Sequence, residues 1–175
     1  RAVECFRDAL ALDPGSALAY AELSDACTIQ GVMGARPPHE VGPQAREAAL
    51  HALAIDERLP VAHYALGHAL VQYEHDRAGA ELAYRRALEL DPNCGNAHHR
   101  YAILLMTSAR ADEAFAQIKL ARQLDPTSLP IDVTEGFLHY WDRHYARAID
   151  HLQRTLEREP HFWMAHYWLA QVQGT

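Results

Sequence analysis

A short phrase recurs five times along this chain and constrains its fold more than any other feature. Each copy has an acidic residue at its fifth position, and in four copies the sixth residue is proline. The copies read ALALDP, ALAIDE, ALELDP, ARQLDP and TLEREP, and their acidic residues are Asp13, Asp56, Asp91, Asp125 and Glu159. Successive acidic residues are 43, 35, 34 and 34 positions apart. The sequence therefore has an internal repeat of 34 residues with one longer interval near its start.

Each period contains two blocks of apolar residues at helical spacing, such as 97–106 and 114–124, which turn-forming residues separate. A proline after the acidic residue ends the second block, because proline has no amide proton for a helix interior and disfavours helix before it. Each period is predicted to be a helical hairpin that covers its apolar faces by stacking on its neighbours. The prediction is an all-α, right-handed α-solenoid of helix-turn-helix hairpins with about ten helices.

The pattern of small and large residues resembles the tetratricopeptide repeat family over nearly the whole chain. In second helices the family's small, large, small and proline positions are filled by Ala80, Tyr84, Ala87 and Pro92, then by Ala114, Ile118, Ala121 and Pro126. In first helices a large residue precedes a small one at Leu66–Gly67, Tyr101–Ala102 and Leu169–Ala170. The small residues allow the two helices of a hairpin to approach closely. Departures from the pattern occur at Glu57, Glu135 and Thr155.

The repeat phase predicts a single domain with partial repeats at both ends. Residues 1–16 are predicted as the second helix of a partial repeat and 163–175 as the first helix of a truncated one. Complete repeats are predicted at 17–59, 60–94, 95–128 and 129–162. Residues 31–43 contain six glycines and prolines, which predicts a loop inserted in the first complete repeat.

Composition narrows the function class. The 175 residues are 49% hydrophobic and carry a formal charge of −7, so direct nucleic-acid binding is not expected. No apolar stretch is long enough for membrane insertion. Three separated cysteines indicate neither a disulfide framework nor a cysteine-zinc site and favour a reducing compartment. The predicted location is the cytoplasm, with a periplasmic domain of a membrane-anchored regulator as the alternative.

No motif for catalysis is present. The sequence lacks a nucleophile elbow, a phosphate-binding glycine loop and a dinucleotide fingerprint, so no enzyme activity, catalytic residue or cofactor is predicted. Twelve histidines are unusual, but no pair shows the spacing of three or four that places two imidazoles on one helix face. No metal ligand is predicted. His68 and His99 with Asp25 are the alternative metal site, and His63, His98 and His166 are interpreted as packing residues.

The family resemblance implies that first helices line a concave binding surface. It places aromatic and apolar side chains there, which are typical anchors for a peptide or helix. The predicted groove residues are Tyr64, His68, Gln72, Asn96, His99, Ile103, Met106, Phe137, Tyr140, Trp141, Met164 and Tyr167. A groove that binds acidic C-terminal tails would need cations on these helices, which offer mainly Glu22, Asp25, Glu74, Asp132 and Asp142. The predicted ligand is therefore apolar or basic.

Three further functional hypotheses remain open. Phe162, Trp163 and Trp168 have no following helix to cover them, which indicates self-association into a homo-oligomer through the terminal helices. A pocket around Tyr64, His99, Tyr140 and Trp141 would suit a sensor of small molecules. The segments 31–43, 73–102, 109–114, 124–131 and 143–149 are similar to repeats downstream of winged-helix or kinase domains in bacterial regulators. That similarity implies a docking or sensory module of a larger signalling or transcription regulator.

Overall fold

The computed structural model describes residues 1–174. These residues form ten α-helices and no strand, which confirms the all-helical prediction. The helices are α1 (Ala2–Leu12), α2 (Ala17–Val32), α3 (Pro38–Ile55), α4 (Pro60–Ala69), α5 (Arg77–Leu90), α6 (Gly95–Met106), α7 (Ala111–Leu124), α8 (Leu129–Trp141), α9 (Tyr145–Arg158) and α10 (Trp163–Gln173). A π-helical segment, Leu70–Glu74, continues α4.

The acidic residue of the recurring phrase closes the turn that follows each second helix. In four copies an aspartate Oδ1 accepts a hydrogen bond from the backbone N–H two residues later, at 3.1 Å for Asp13, 2.9 Å for Asp56, 2.9 Å for Asp91 and 3.1 Å for Asp125. In the fifth copy, Glu159 Oε1 lies 3.4 Å from the N–H of His161. The repeat signal is therefore a side-chain-closed turn, which explains why a short acidic residue recurs there.

The turn inside each hairpin uses a left-handed residue. His75, Ala109 and Arg143 have φ angles of 54°, 59° and 60°, and they are separated by one repeat period each. Gly34, with φ of 68°, occupies the corresponding turn between α2 and α3. The left-handed conformation costs a residue with a Cβ atom about 1–2 kcal/mol, so three of the four turns carry local backbone strain.

Replacing Ala109 by glycine is expected to raise the free energy of unfolding by about 0.5–1 kcal/mol, because glycine removes that strain at a smaller entropic cost. The matched control is Ala116→Gly on the exposed face of α7, where glycine is expected to lower stability by about 1 kcal/mol. Urea unfolding followed by circular dichroism measures both. A destabilising Ala109→Gly would contradict the assignment of strain to this turn.

The predicted loop over residues 31–43 is wrong at both ends. Helix α2 extends to Val32, and α3 begins at Pro38 with Pro43 inside it, so only residues 33–37 connect them. Pro43 is the sixth residue of α3 and is exposed, so the helix continues through it at the loss of one hydrogen bond, to the carbonyl four residues earlier. Gly42 is buried, and a Cβ atom there would lie 2.8 Å from Tyr73 Cγ. This glycine permits close packing and does not mark a loop.

The chain divides into two compact units, Arg1–Ala97 and His98 onward. In the first unit, a Cβ atom on Gly67 would lie 2.8 Å from Tyr84 Cε1, so glycine is required where α4 meets α5. In the second unit, Leu152 is fully buried in a cluster with Val133 and Ala165, which joins α8, α9 and α10. Each unit thus has its own apolar core between paired helices.

Candidate functional site

The structure separates the predicted groove residues by exposure. Five are buried: Tyr64, His68, His99, Met106 and Phe137. Ile103, Tyr140 and Met164 are half-buried, and Gln72, Asn96, Trp141 and Tyr167 are exposed. The expectation that all twelve lie on an open face is therefore wrong for the buried five. First helices in this fold pack on more than one side, and a single apolar stripe on them does not distinguish core from surface.

Two of the buried residues belong to a polar network in the first unit. Tyr64 Oη donates a hydrogen bond of 2.6 Å to Asp25 Oδ1, and His68 Nδ1 lies 2.7 Å from the same oxygen. The side chains of His68 and Asp25 are only 2% and 14% exposed. Since buried polar groups need partners, this network fixes α4 against α2.

His99 has a different partner in the second unit, where its Nε2 lies 2.7 Å from Thr134 Oγ1. His98, interpreted from the sequence as a packing residue, is buried and its Nδ1 lies 2.6 Å from Gln117 Oε1. His63 and His166 place Nε2 at 2.8 Å and 2.7 Å from the carbonyl oxygens of Glu57 and Pro160. His63 and His166 thus tie α4 and α10 to the turns before them, whereas His98 and His99 link α6 to α7 and α8.

The aromatic surface is the set of five rings that α8 and α10 bring together in the second unit: Phe137, Tyr140, Trp141, Tyr167 and Trp168. The ring centroids of Trp168 and Phe137 are 4.8 Å apart, and Trp168 lies 5.9 Å from Tyr140 and 5.2 Å from Tyr167. Phe137 lies 5.9 Å from Trp141. Four of these five rings are predicted groove residues, and the structure brings them together.

Exposure differs across the aromatic surface. Trp141 and Tyr167 are 53% and 51% exposed, whereas Trp168 is half-buried against the core cluster of the second unit. Buried rings hold the exposed ones in fixed positions, so the surface presents large apolar area at little conformational cost. Met164, another predicted groove residue, packs against the same cluster.

The predicted self-association residues do not form one uncovered face. Phe162 and Trp168 pack against the cluster that contains Leu152, because α8 and α9 cover that side of α10. Trp163 is 51% exposed. The expectation that all three are uncovered is therefore wrong for Phe162 and Trp168, whose apolar area is used inside the unit.

The two helices of the aromatic surface carry acidic residues but no lysine or arginine. On α8, Asp132 pairs with Arg122 at 3.2 Å and also with Arg158, and Glu135 pairs with Arg122 at 2.5 Å. Burial raises the pKa of Glu135, and the Arg122 guanidinium opposes that rise. These arginines are engaged with acidic partners on α8.

A cleft that the sequence did not predict lies in the first unit. It has a volume of 1040 Å³ between α3 and the π-helical segment, and its walls include Leu50, His51, Gln72 and Tyr73. An ion pair of 2.9 Å between Arg46 and Glu74 lies at this cleft. Of the predicted groove, only Gln72 lines it within the described residues. Glycines and prolines of residues 31–43 contribute to the walls of this cleft, but in the sequence they indicated a loop.

Hairpins, side-chain-closed turns and close helix contacts define a helical-repeat protein. Residues 138–173 match the family model described as tetratricopeptide repeat. No curated protein sequence matches the chain. Among the described helices, none is long and apolar enough to cross a membrane.

Solved structures of tetratricopeptide repeat (TPR) proteins have the same fold. TTC0263, a thermophilic TPR protein from Thermus thermophilus, is 17% identical over 99% of this chain and 89% of its own, with a TM-score of 0.80. YrrB, a TPR protein with an unusual peptide-binding site, is 21% identical over 94% and 80%, with a TM-score of 0.62. Human IFIT1, solved as a dimer with m7Gppp-AAAA, is 22% identical over 98% and 40%, with a TM-score of 0.81. The likeness establishes the TPR fold of this chain.

Proposed function

We propose that this chain is a non-enzymatic protein-interaction scaffold that binds an apolar or basic peptide or helix on the aromatic surface. The observation that carries the proposal is the half exposure of Trp141 and Tyr167 on a base of packed rings. Residues of this type in a fixed position are the usual anchors of protein interfaces. The TPR fold and the peptide-binding site of YrrB support a protein or peptide as the kind of partner.

Charge favours a ligand with lysine or arginine beside its apolar residues. The helices of the aromatic surface carry no cation of their own, and the whole chain has a formal charge of −7. A ligand cation over the face of Trp141 or Tyr167 would gain a cation–π attraction. An acidic C-terminal tail would find no lysine or arginine on α8 or α10 to hold it, and Arg122 and Arg158 already pair with Asp132.

The same proposal places the chain as a docking or sensory module within a larger bacterial signalling or transcription regulator. Its basis is the similarity of residues 31–175 to repeat segments of such regulators, together with the TPR fold. In that setting the aromatic surface would recruit a partner segment.

Trp141→Ala is expected to weaken binding of an apolar and basic peptide by about 30-fold or more, the loss typical of a buried aromatic anchor. The probe is a panel of fluorescent synthetic peptides that alternate leucine or phenylalanine with lysine or arginine, and fluorescence anisotropy reports binding. The matched control is Leu120→Ala, which removes an exposed apolar side chain from α7 in the same unit and is expected to bind like the unmodified chain.

Equal binding by Trp141→Ala and the unmodified chain would reject the aromatic surface as the site. Binding restricted to acidic C-terminal peptides would reject the proposed ligand class. Sedimentation of the same samples separates peptide binding from self-association, the alternative function, which the exposure of Trp163 favours. Self-association through Trp163 would raise the mass with concentration, whereas peptide binding by a monomer would not.

A further inference from the structure

Three side chains with metal-binding atoms converge between α8 and α9 in the second unit. We propose that Glu135, His139 and His151 bind a divalent transition-metal ion of the zinc type. One donor atom from each lies within 4.8 Å of the others. The site shares no residue with the aromatic surface and goes beyond the peptide-binding function.

Helix geometry brings the three residues together. Glu135 and His139 are four residues apart on α8, so their side chains lie on one face, one turn apart. His151 projects from α9, which pairs with α8 in the same hairpin. Its Nε2 lies 3.9 Å from Glu135 Oε1, and its ring centroid lies 5.1 Å from that of His139. The hairpin therefore supplies two ligands from one helix and one from the other.

His139 is the most enclosed of the three donors. It is 8% exposed, and its Nδ1 is buried without a hydrogen-bond partner among the described residues. Phe115 covers it at a ring-centroid distance of 4.8 Å. A buried polar nitrogen without a partner carries a desolvation penalty. An imidazole retained in that position is suited to donate a lone pair to a cation.

The protonation state of the site suits a metal. Burial lowers the pKa of His139, with a further contribution from His151, and burial together with Arg122 and Arg154 lowers the pKa of His151. Both shifts favour the neutral imidazole, which is the form that binds metals. Arg122 pairs with Glu135 Oε2 at 2.5 Å, while the other carboxylate oxygen, Oε1, faces His151.

Donor chemistry selects the class of ion. Two imidazoles and one carboxylate suit zinc and related first-row ions better than calcium or magnesium, which prefer oxygen donors. Zinc donors in a tetrahedron are about 3.3 Å apart, so small side-chain rotations would close the present spacing around an ion. The side chains of His151 and Glu135 are 17% and 19% exposed, which leaves room for those rotations and a fourth position for water.

The test uses the full chain with any affinity tag removed. Isothermal titration with Zn²⁺ is expected to show one zinc ion bound tightly per chain. His151→Ala and Glu135→Gln each remove a direct ligand and are expected to weaken zinc affinity by about 100-fold or more. Removal of a residue that contacts only a ligand, not the metal, costs less. His161→Ala removes an exposed histidine and is expected to leave zinc binding intact. Zn²⁺ is also expected to raise the thermal midpoint of the unmodified chain but not that of His151→Ala.

The proposal would be overturned if the unmodified chain bound no zinc ion tightly, or if both ligand variants still bound one. Loss of tight zinc binding in His161→Ala would likewise assign binding to surface histidines. Circular dichroism of the two ligand variants, which change different helices, separates loss of a ligand from loss of folding. Tetrahedral Co²⁺ absorption in the unmodified chain, absent in Glu135→Gln, would support the same coordination.

Discussion

Tyr84→Ala is expected to lower the free energy of unfolding by about 3–5 kcal/mol, the range for truncating a buried aromatic residue. Tyr84 is 1% exposed and fills the space that Gly67 leaves between α5 and α4. Alanine would leave a cavity at this contact, because a glycine opposite offers no side chain to fill it. Urea unfolding followed by circular dichroism gives the free energy.

The control is two residues away on the same helix. Leu82 is 69% exposed, and Leu82→Ala is expected to change stability by no more than about 0.5 kcal/mol. The two variants have similar helix propensity at the mutated position, so their difference isolates the packing of the ring. If Tyr84→Ala and Leu82→Ala lowered the free energy of unfolding by similar amounts, Tyr84 and Gly67 would not form a close contact in solution.

Asp25→Ala is expected to lower the free energy of unfolding by about 2–5 kcal/mol, because two buried groups lose a hydrogen-bond acceptor. One oxygen of Asp25 serves both Tyr64 Oη and His68 Nδ1. Removing it deprives two buried groups of a charged acceptor and leaves them in a low-dielectric site. Urea unfolding with circular dichroism measures this loss.

Tyr64→Phe separates the shared acceptor from a single bond. It removes one hydroxyl and leaves Asp25 paired with His68, so its expected cost is about 1 kcal/mol. The ordering of the two costs is the test: an Asp25→Ala variant no less stable than Tyr64→Phe would show that Asp25 does not anchor the network. This network explains why Tyr64, a predicted groove residue, is buried.

The sequence predicted the helices well because their signals are local. The acidic residue of each turn is satisfied two positions away, and the helix-ending proline acts on its own neighbour. The exposure of a side chain was less predictable, because it depends on which faces of its helix are covered by neighbouring helices. Tyr64 and Trp141 are both aromatic residues of first helices, yet one is 3% and the other 53% exposed.

Two other sites depended on packing that the sequence does not report. The glycines of 31–43 indicated a loop, although Gly42 serves the contact with Tyr73. No two histidines have the spacing of three or four, but Glu135 and His139, a carboxylate and an imidazole, are four residues apart. His151 joins them only through the register of α9 on α8, so sequence spacing gave no indication of it.

The closed turns also bear on how such a chain can change length during evolution. In four of these turns, the backbone N–H that bonds to the aspartate lies only two residues after it. A hairpin can therefore be duplicated or deleted at one of these turns without altering the side-chain hydrogen bond that closes the next turn. Duplication or deletion of a whole repeat leaves a chain whose hairpins can still stack on one another. The number of hairpins can thus vary while the recurring phrase stays the same.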